Sequence, residues 1–304
     1  MSGGQLRYAA AAVALSACAW GQPSPSFRAD TTLVLVPVTV TDPNNRYVLG
    51  LSKQNFHLFE DGVEQTISSF STEDAPLSIG LIVDVSGSMG LKLHLSSNAA
   101  GQFLKTMNPT DEAFLVEFSD QADLVLPFTH ELSRIEQKIG ELSSGGLTAM
   151  LDAIHISIDE MKKATNPRKA LLIVSDGGDN HSRYNSSEIE ELVRQADTQI
   201  FAMGVFEPMG PFGLSLAELD GPRLLSELAE QTGGRALAAT SDSELPAIAQ
   251  RIGVELRNQY VLAYTPTNHA RDGKYRHLEV KLDQPAGLPP LKLRWRLGYY
   301  APNN

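Results

Sequence analysis

The sequence predicts an α/β protein: a doubly wound, mainly parallel sheet with helices on both faces, inserted between N-terminal and C-terminal antiparallel β segments. Continuous apolar runs such as residues 79–83 are typical of strands that are buried on both faces of a parallel sheet. Amphipathic helical patterns alternate with these runs, which favours parallel strands joined by crossover helices. Both flanks alternate apolar and polar residues at period two, as half-buried antiparallel strands do.

The central part of the chain carries the alternating strands and helices. Strands are predicted over residues 79–83, 114–118, 123–126, 170–174 and 200–206. The residues that share an apolar helix face are Leu151, Ile154, Ile158 and Met161 in one segment and Leu245, Ile248, Ile252 and Leu256 in another. A further helix is expected from Leu91 to about Met107. This order predicts a sheet with helices on both sides.

The N-terminal flank has a strand pattern in which alternate residues from Val34 to Val40 are valines. Asp61-Gly62 lies between two apolar runs, which is a strong signal for a β-hairpin. Each flank has about 45 residues, too few to bury a stable core alone. We therefore expect the two flanks to pair with each other.

The C-terminal flank ends in an alternating segment whose cations Lys292, Arg294 and Arg296 fall on one face. Three cations on one strand face are ordinary surface chemistry for a half-buried strand. We interpret this basic stripe as a solvated sheet face.

The first residues have the pattern of an export signal. A short apolar run from Tyr8 to Ala17 follows the cationic Arg7, and this run is too short to span a bilayer. Leu15-Ser16-Ala17-Cys18 resembles a bacterial lipobox, which predicts lipid anchoring at Cys18 in the periplasm or at the cell surface. Two alternatives stay open: signal cleavage within Ala17-Cys18-Ala19 with soluble release, and a buried N-terminal helix.

The predicted organisation has five parts: a signal peptide or lipobox (1–18), a linker (19–30), an N-terminal β segment (31–75), the α/β domain (76–257) and a C-terminal β segment (258–304).

Composition excludes several classes of function. The 304 residues include 25 Lys and Arg against 36 Asp and Glu, so the net charge of -11 repels a phosphate backbone, and nucleic acid is not an expected partner. The single cysteine excludes an intrachain disulfide and a cysteine-based zinc site. Contact with a membrane is expected only through an N-terminal lipid anchor.

Oxygen-bearing side chains follow the first buried strand and recur after a later one. Asp84, Ser86 and Ser88 alternate at the end of the first strand, Thr148 precedes a helix, and Asp176 follows another buried strand. Open α/β sheets bind ligands at the carboxyl ends of their strands. Two carboxylates and three hydroxyls suit Mg²⁺ or Mn²⁺, and an incoming carboxylate would complete the coordination.

Each of these residues also has a purely structural interpretation. Ser86, Ser88 or Thr148 can cap a helix, and Asp176 with the two glycines after it can form a turn. Asp152 and Asp179 lie nearby in the sequence and are candidates for a supporting role around the metal ligands.

The motif D-x-S-x-S at residues 84–88, the threonine in GGLTAMLDAI and the aspartate in LLIVSDGGDN resemble the metal-ion-dependent adhesion site (MIDAS) of a von Willebrand factor type A domain. The resemblance covers residues 76–257. The flanks resemble bacterial von Willebrand factor type A-related envelope proteins of the acidobacterial type, through VTVTDPNNRYVLGLSKQNFHLFEDG and YVLAYTPTNHARDGKYRHLEVKL before the terminal GYYAP.

The resemblance implies a Rossmann-like fold and metal-dependent protein binding rather than catalysis. It implies that Ser86, Ser88 and Thr148 bind the ion through hydroxyl oxygens, and that Asp84 and Asp176 act directly or through water. A protein ligand would add an Asp or Glu side chain, and binding would be coupled to movement of the final helix, around residues 241–257. One departure is Leu147, which separates the glycine pair from the threonine, where relatives commonly have glycine directly before it.

Two rival functions remain, and a degenerate site that binds metal only for stability is a third possibility. The protein would be an envelope scaffold if the β module formed by its two paired flanks were the interaction surface. Chelation of metal would then have no effect on partner binding. A serine hydrolase with Ser86, Asp176 and His181 is the weaker rival, because the nucleophile pattern G-x-S-x-G does not surround either serine. We therefore do not expect an enzyme.

Overall fold

The computed structural model of the protein describes residues 33–205, 216–239 and 241–303. Its strands are β1 (Val34–Thr41), β2 (Phe56–Glu60), β3 (Val63–Gln65), β4 (Ile67–Ser71), β5 (Leu77–Asp84), β6 (Glu112–Phe118), β7 (Ala122–Thr129), β8 (Arg168–Ser175), β9 (Gln199–Val205), β10 (Arg235–Ala239), β11 (Tyr260–Tyr264), β12 (Tyr275–Leu282), β13 (Lys292–Trp295) and β14 (Gly298–Tyr300). Its α-helices are α1 (Leu93–Leu104), α2 (Leu132–Glu141), α3 (Met150–Met161), α4 (Ser186–Gln195), α5 (Leu216–Thr232) and α6 (Leu245–Arg257). Short 3-10 helices precede β2, α1 and α6 at Lys53–Asn55, Gly87–Lys92 and Asp242–Glu244.

A six-stranded sheet in the order β10-β9-β8-β5-β6-β7 forms the centre of the α/β part. All neighbours pair in parallel except β6 and β7, which are antiparallel. Every residue of β5 is buried, and so is every residue of β8 except Lys169, as the apolar content of central parallel strands requires. The predicted fold class is therefore confirmed, including the mainly parallel sheet.

Helices cover the two faces of this sheet and form two separate cores. On one face, α1, α2 and α6 pack with Leu81, Leu115 and Leu172 of the sheet. On the other face, α3, α4 and α5 pack with Ile82 and Val116, which point the opposite way because side chains alternate along a strand.

The flanking strands form two four-stranded antiparallel sheets, β13-β1-β11-β4 and β14-β12-β2-β3. In the first sheet, β1 pairs with β11 in a register that sets Val34 opposite Tyr264 and Val38 opposite Tyr260. The second sheet pairs β12 with β2. The apolar faces of both sheets enclose one core, which contains the alternate valines of β1 together with Leu278 and Val280.

The Asp61-Gly62 turn connects β2 to β3 as the sequence predicts. Asp61 has φ 48° and Gly62 has φ 79°, the two positive values that a type I′ turn requires. Glu60 pairs with Val63 across the turn.

The interpretation of the C-terminal basic stripe as a solvated face is wrong for two of its three cations. Arg294 donates to the fully buried Glu255 of α6 at 2.7 Å, and Arg296 lies 2.5 Å from Asp197. Arg235 of β10 also pairs with Glu255, at 2.6 Å. The stripe therefore packs against the α/β part, because the carboxylates that neutralise it lie there.

The predicted export signal and Cys18 lie outside the described residues. Within 33–205, 216–239 and 241–303, no helix has both the length and the apolar character needed to cross a bilayer.

The first prediction concerns the ionic contact between α6 and its surroundings. Substitution of Glu255 by Ala leaves Arg235 and Arg294 near each other without their shared carboxylate. Uncompensated buried charges of this kind cost about 3–5 kcal/mol. Urea denaturation should therefore show a loss of that size in the free energy of unfolding.

Glu141→Ala is the matched control, since Glu141 forms an exposed ion pair with Lys138 in α2. Its free energy of unfolding should stay near that of the wild type. Equal effects of the two substitutions would contradict the assigned importance of the buried contact.

Candidate metal centre

The predicted site residues lie on three loops at one edge of the central sheet. β5 ends at Asp84 and β8 ends at Ser175, directly before Asp176, so the parallel pairing of these strands delivers both aspartates to the same edge. The loop before α3 carries Thr148. Backbone hydrogen bonds tie these loops together, with Gly145 N–H donating to Val85 O at 2.8 Å and Gly87 N–H donating to Gly146 O at 3.0 Å.

Asp84 is the most buried member of the set and is fully hydrogen bonded. Its Oδ1 accepts the backbone N–H of Ser86 at 2.9 Å, and its Oδ2 accepts the hydroxyl of Ser175 at 2.6 Å. Burial raises the pKa of Asp84 from the ordinary 3.8 to about 6; hydrogen bonds from Ser175 and Ser86 oppose this rise, and the charge of Asp176 adds to it. A nearby cation would stabilise this carboxylate in its ionised form.

The two serines follow Asp84 with their hydroxyls side by side. Ser86 Oγ lies 3.1 Å from Ser88 Oγ, and Ser86 is buried whereas Ser88 is exposed. Ser86 does occupy the N-cap position of the 3-10 helix Gly87–Lys92, but within the described structure its side chain makes no capping hydrogen bond. The structural interpretation of Ser86 as a helix cap therefore explains its backbone and not its hydroxyl.

Thr148 is fixed through its backbone. Its N–H donates to Asn180 Oδ1 at 3.0 Å, and its carbonyl accepts the N–H groups of Asn180 and His181 at 2.9 and 3.0 Å. The N-cap of α3 is Ala149, so Thr148 is not the capping residue.

Asp176 lies beside a lysine. Lys92 Nζ is 3.6 Å from Asp176 Oδ2, and both side chains are largely buried. The next residue, Gly177, has φ 89° and donates its N–H to Ser175 Oγ at 2.9 Å. Ser175 therefore contacts both the Asp84 carboxylate and the turn that carries Asp176.

Leu147, the residue that departs from the usual pattern, is accommodated by Asp120. The Asp120 carboxylate accepts Leu147 N–H at 2.7 Å. It also lies 2.8 Å from where a Cβ on Gly146 would be, and Gly146 has φ 82°. The loop thus takes a backbone conformation that favours glycine, and the Leu147 side chain is 47% exposed at the rim of the site.

Asp152 and Asp179 organise the neighbouring loop. Asp152 accepts the N–H and Nε–H of Arg183 at 2.9 Å each, and Asp179 accepts the Ser182 hydroxyl at 2.6 Å. These contacts hold the segment that follows Asp176.

The donor atoms at this edge of the sheet are oxygens, which are the ligands that a hard cation prefers. No three His, Cys, Asp or Glu side chains among the described residues are grouped so that they could hold a metal. The edge offers two carboxylates and three hydroxyls, all of them oxygen donors, which fits an ion that also takes oxygens from water or a partner. The donor set thus fits Mg²⁺ and excludes a His- or Cys-based site here.

Sequence reasoning missed Ser175, Asn180, Asp120 and Lys92. Ser175 and Asp120 had a usable signal, because both lie where a parallel strand ends and so reach the same edge. Nothing in the sequence indicated that Lys92 would face Asp176.

The second prediction concerns pH in the presence of a chelator. The pKa of Asp84 is about 6 in the folded protein and near 3.8 in the unfolded chain. Between these values the unfolded chain releases a proton that the native protein keeps, so stability falls as pH rises from about 4 to 7. The stability of the wild type relative to Asp84→Asn should therefore decrease by up to about 3 kcal/mol across this range. A relative stability that rises with pH in urea denaturation would contradict the buried environment of Asp84.

Comparison with known proteins agrees with this architecture. Residues 79–178 match the family model of the von Willebrand factor type A domain. No curated protein matches the sequence. Among solved structures, a von Willebrand factor type A protein from Catenulispora acidiphila is 12% identical, with a TM-score of 0.52 over 90% of this chain and 74% of its own.

Two other solved structures share the fold at similar distance. Proximal thread matrix protein 1 from the mussel byssus is 16% identical, with a TM-score of 0.51 over 65% of this chain and 51% of its own. A mutant of the PilB minor pilin from Streptococcus sanguinis is 13% identical, with a TM-score of 0.50 over 60% of this chain and 62% of its own. At such identities these structures show the fold alone. The match over residues 79–178 and the doubly wound sheet together indicate a von Willebrand factor type A domain in the α/β part of the chain.

Proposed function

We propose that the protein is a metal-ion-dependent protein-binding module of the bacterial cell envelope. Asp84, Ser86, Ser88, Thr148 and Asp176 would hold Mg²⁺, or Mn²⁺, and a partner protein would contribute an Asp or Glu side chain. The bound ion supplies positive charge that a partner carboxylate can neutralise. The observation that carries the proposal is the position of the Ser86 and Ser88 hydroxyls, 3.1 Å apart, directly after the buried carboxylate of Asp84.

The surrounding contacts support a preformed site. Ser175 holds Asp84 and the Asp176 turn, and Asn180 fixes the backbone of Thr148, so the donors are positioned by hydrogen bonds rather than by the ligand. Preorganisation of this kind lowers the cost of ordering on binding. Asp84 carries a negative charge that burial disfavours, and neutralisation by a cation would relieve this cost.

Binding is favoured over catalysis at this edge. The Ser86 hydroxyl is buried and paired with Ser88, whereas His181 is exposed and uses its backbone N–H to hold Thr148. A hydrolase would require His181 to activate Ser86, which this arrangement does not favour. Export, with a lipid anchor at Cys18, would place the binding edge outside the cytoplasm.

The third prediction tests the metal site directly. Calorimetric titration of Mg²⁺ and Mn²⁺ into the wild type should give saturable 1:1 binding. Ser86→Ala and Asp84→Asn should each lower the affinity at least about tenfold, because the first removes a donor hydroxyl and the second removes the negative charge of a carboxylate. Circular dichroism would verify that both variants fold.

Ser133→Ala is the matched control, since Ser133 is an exposed serine of α2. It should bind metal as the wild type does. Absence of saturable binding to the folded wild type would contradict the proposal and leave the β module as the interaction surface.

The fourth prediction tests the partner chemistry. Peptides selected from a random display library by the wild type in Mg²⁺, after counterselection on Ser86→Ala, should each contain an essential Asp or Glu. Replacement of that residue by Asn or Gln, or addition of chelator, should abolish binding. Selected peptides that bind without an acidic residue and in the presence of chelator would contradict a metal-bridged mode.

A further inference from the structure

Lys92 lies at the end of the 3-10 helix that carries Ser88. Its ammonium is 3.6 Å from Asp176 Oδ2, and the Lys92 and Asp176 side chains are only 14% and 12% exposed. Exposed pairs elsewhere in the chain, such as Lys162 with Asp159, have side chains that are 68% and 49% exposed. The Lys92 pair is therefore screened by water much less than an ordinary surface pair.

This position conflicts with a second cation at the same carboxylate. A divalent ion held by Asp176 would lie within a few ångströms of the ammonium, where two positive charges repel each other through a partly desolvated environment. Conversely, Asp84 and Asp176 repel each other, and the ammonium offsets this repulsion. Lys92 and the metal ion thus both offset the repulsion between the carboxylates of Asp84 and Asp176.

We propose that Lys92 is a built-in counterion of the metal-binding loops, which competes with the divalent cation for Asp176 and thereby sets the metal affinity of the site. The inference rests on the proposed metal site and adds a residue that regulates it. It implies that metal binding requires the lysine to move away from Asp176, and that removal of its charge strengthens metal binding.

The test compares three substitutions by calorimetric titration with Mg²⁺ at low ionic strength. Lys92→Met keeps the length of the side chain and removes the charge, so the Kd for Mg²⁺ should fall about tenfold or more. Lys92→Arg keeps the charge and should bind within about twofold of the wild type. Lys105→Met, at an exposed lysine after α1, is the matched control and should also leave the Kd unchanged.

A second readout separates competition from a purely structural role. In chelator, Lys92→Met should unfold at a lower temperature than the wild type, because Asp84 and Asp176 lose their counterion. In saturating Mg²⁺ the order should reverse. If Lys92 had a purely structural role, Lys92→Met would unfold at a lower temperature than the wild type in both conditions.

The titrations distinguish failure of the proposed role of Lys92 from failure of the proposed metal site. A wild type that binds Mg²⁺ with the same or higher affinity than Lys92→Met overturns the role of Lys92 and leaves the metal site intact. Absence of binding by every variant removes both the site and the inference.

Discussion

Parallel strands of one sheet all end at the same edge, and this constraint determines where the candidate metal-binding side chains lie. β8, β5 and β6 are adjacent in the sheet, so the residues that follow these strands lie close together. Asp84 and Ser175 meet in this way, although 91 residues separate them. Asp120 accepts a hydrogen bond from Leu147 in the loop before α3. The loop before α3 then joins them through two backbone hydrogen bonds, and every polar contact of the site depends on this convergence.

A second cluster of charged side chains joins the α/β part to the sandwich that the two flanking antiparallel sheets form. The last turn of α6 carries Glu255, which neutralises arginines from β10 and β13, and Arg257, which pairs with Asp74 and Asp111. Asp74 lies between β4 and β5, and Arg257 lies just before β11, so their ion pair connects the two points where the chain passes between the two parts. Since the helix ends in ion pairs on two sides, its position is linked to that of the sandwich.

The sequence was sufficient for the features that depend on local pattern. Continuous apolar runs predicted β5 and β8, alternate valines predicted β1, and the Asp61-Gly62 pair predicted its hairpin with the required positive φ values. The position of the candidate ligands at one edge of the sheet could also be predicted, because parallel strands end there. That these residues bind a metal stays a prediction. The environment of Arg294 could not, since a period-two pattern shows which residues share a face and not what covers that face. The contact of Lys92 could not be predicted either, because its partner Asp176 lies more than eighty residues away and is brought near only by the fold.

The pairing of β1 with β11 has a mechanical consequence. Val34 lies opposite Tyr264, at one end of the ladder, whereas the connections to the α/β part leave from Tyr260 and Ser71 at the other end. Tension between the start of β1 and the α/β part therefore pulls along the strands in opposite directions. The hydrogen bonds of the ladder share such a shearing load and must break together, whereas a load across the strands would break them one at a time. The order of the strands thus makes this junction strongest along the line on which a tethered chain would be pulled.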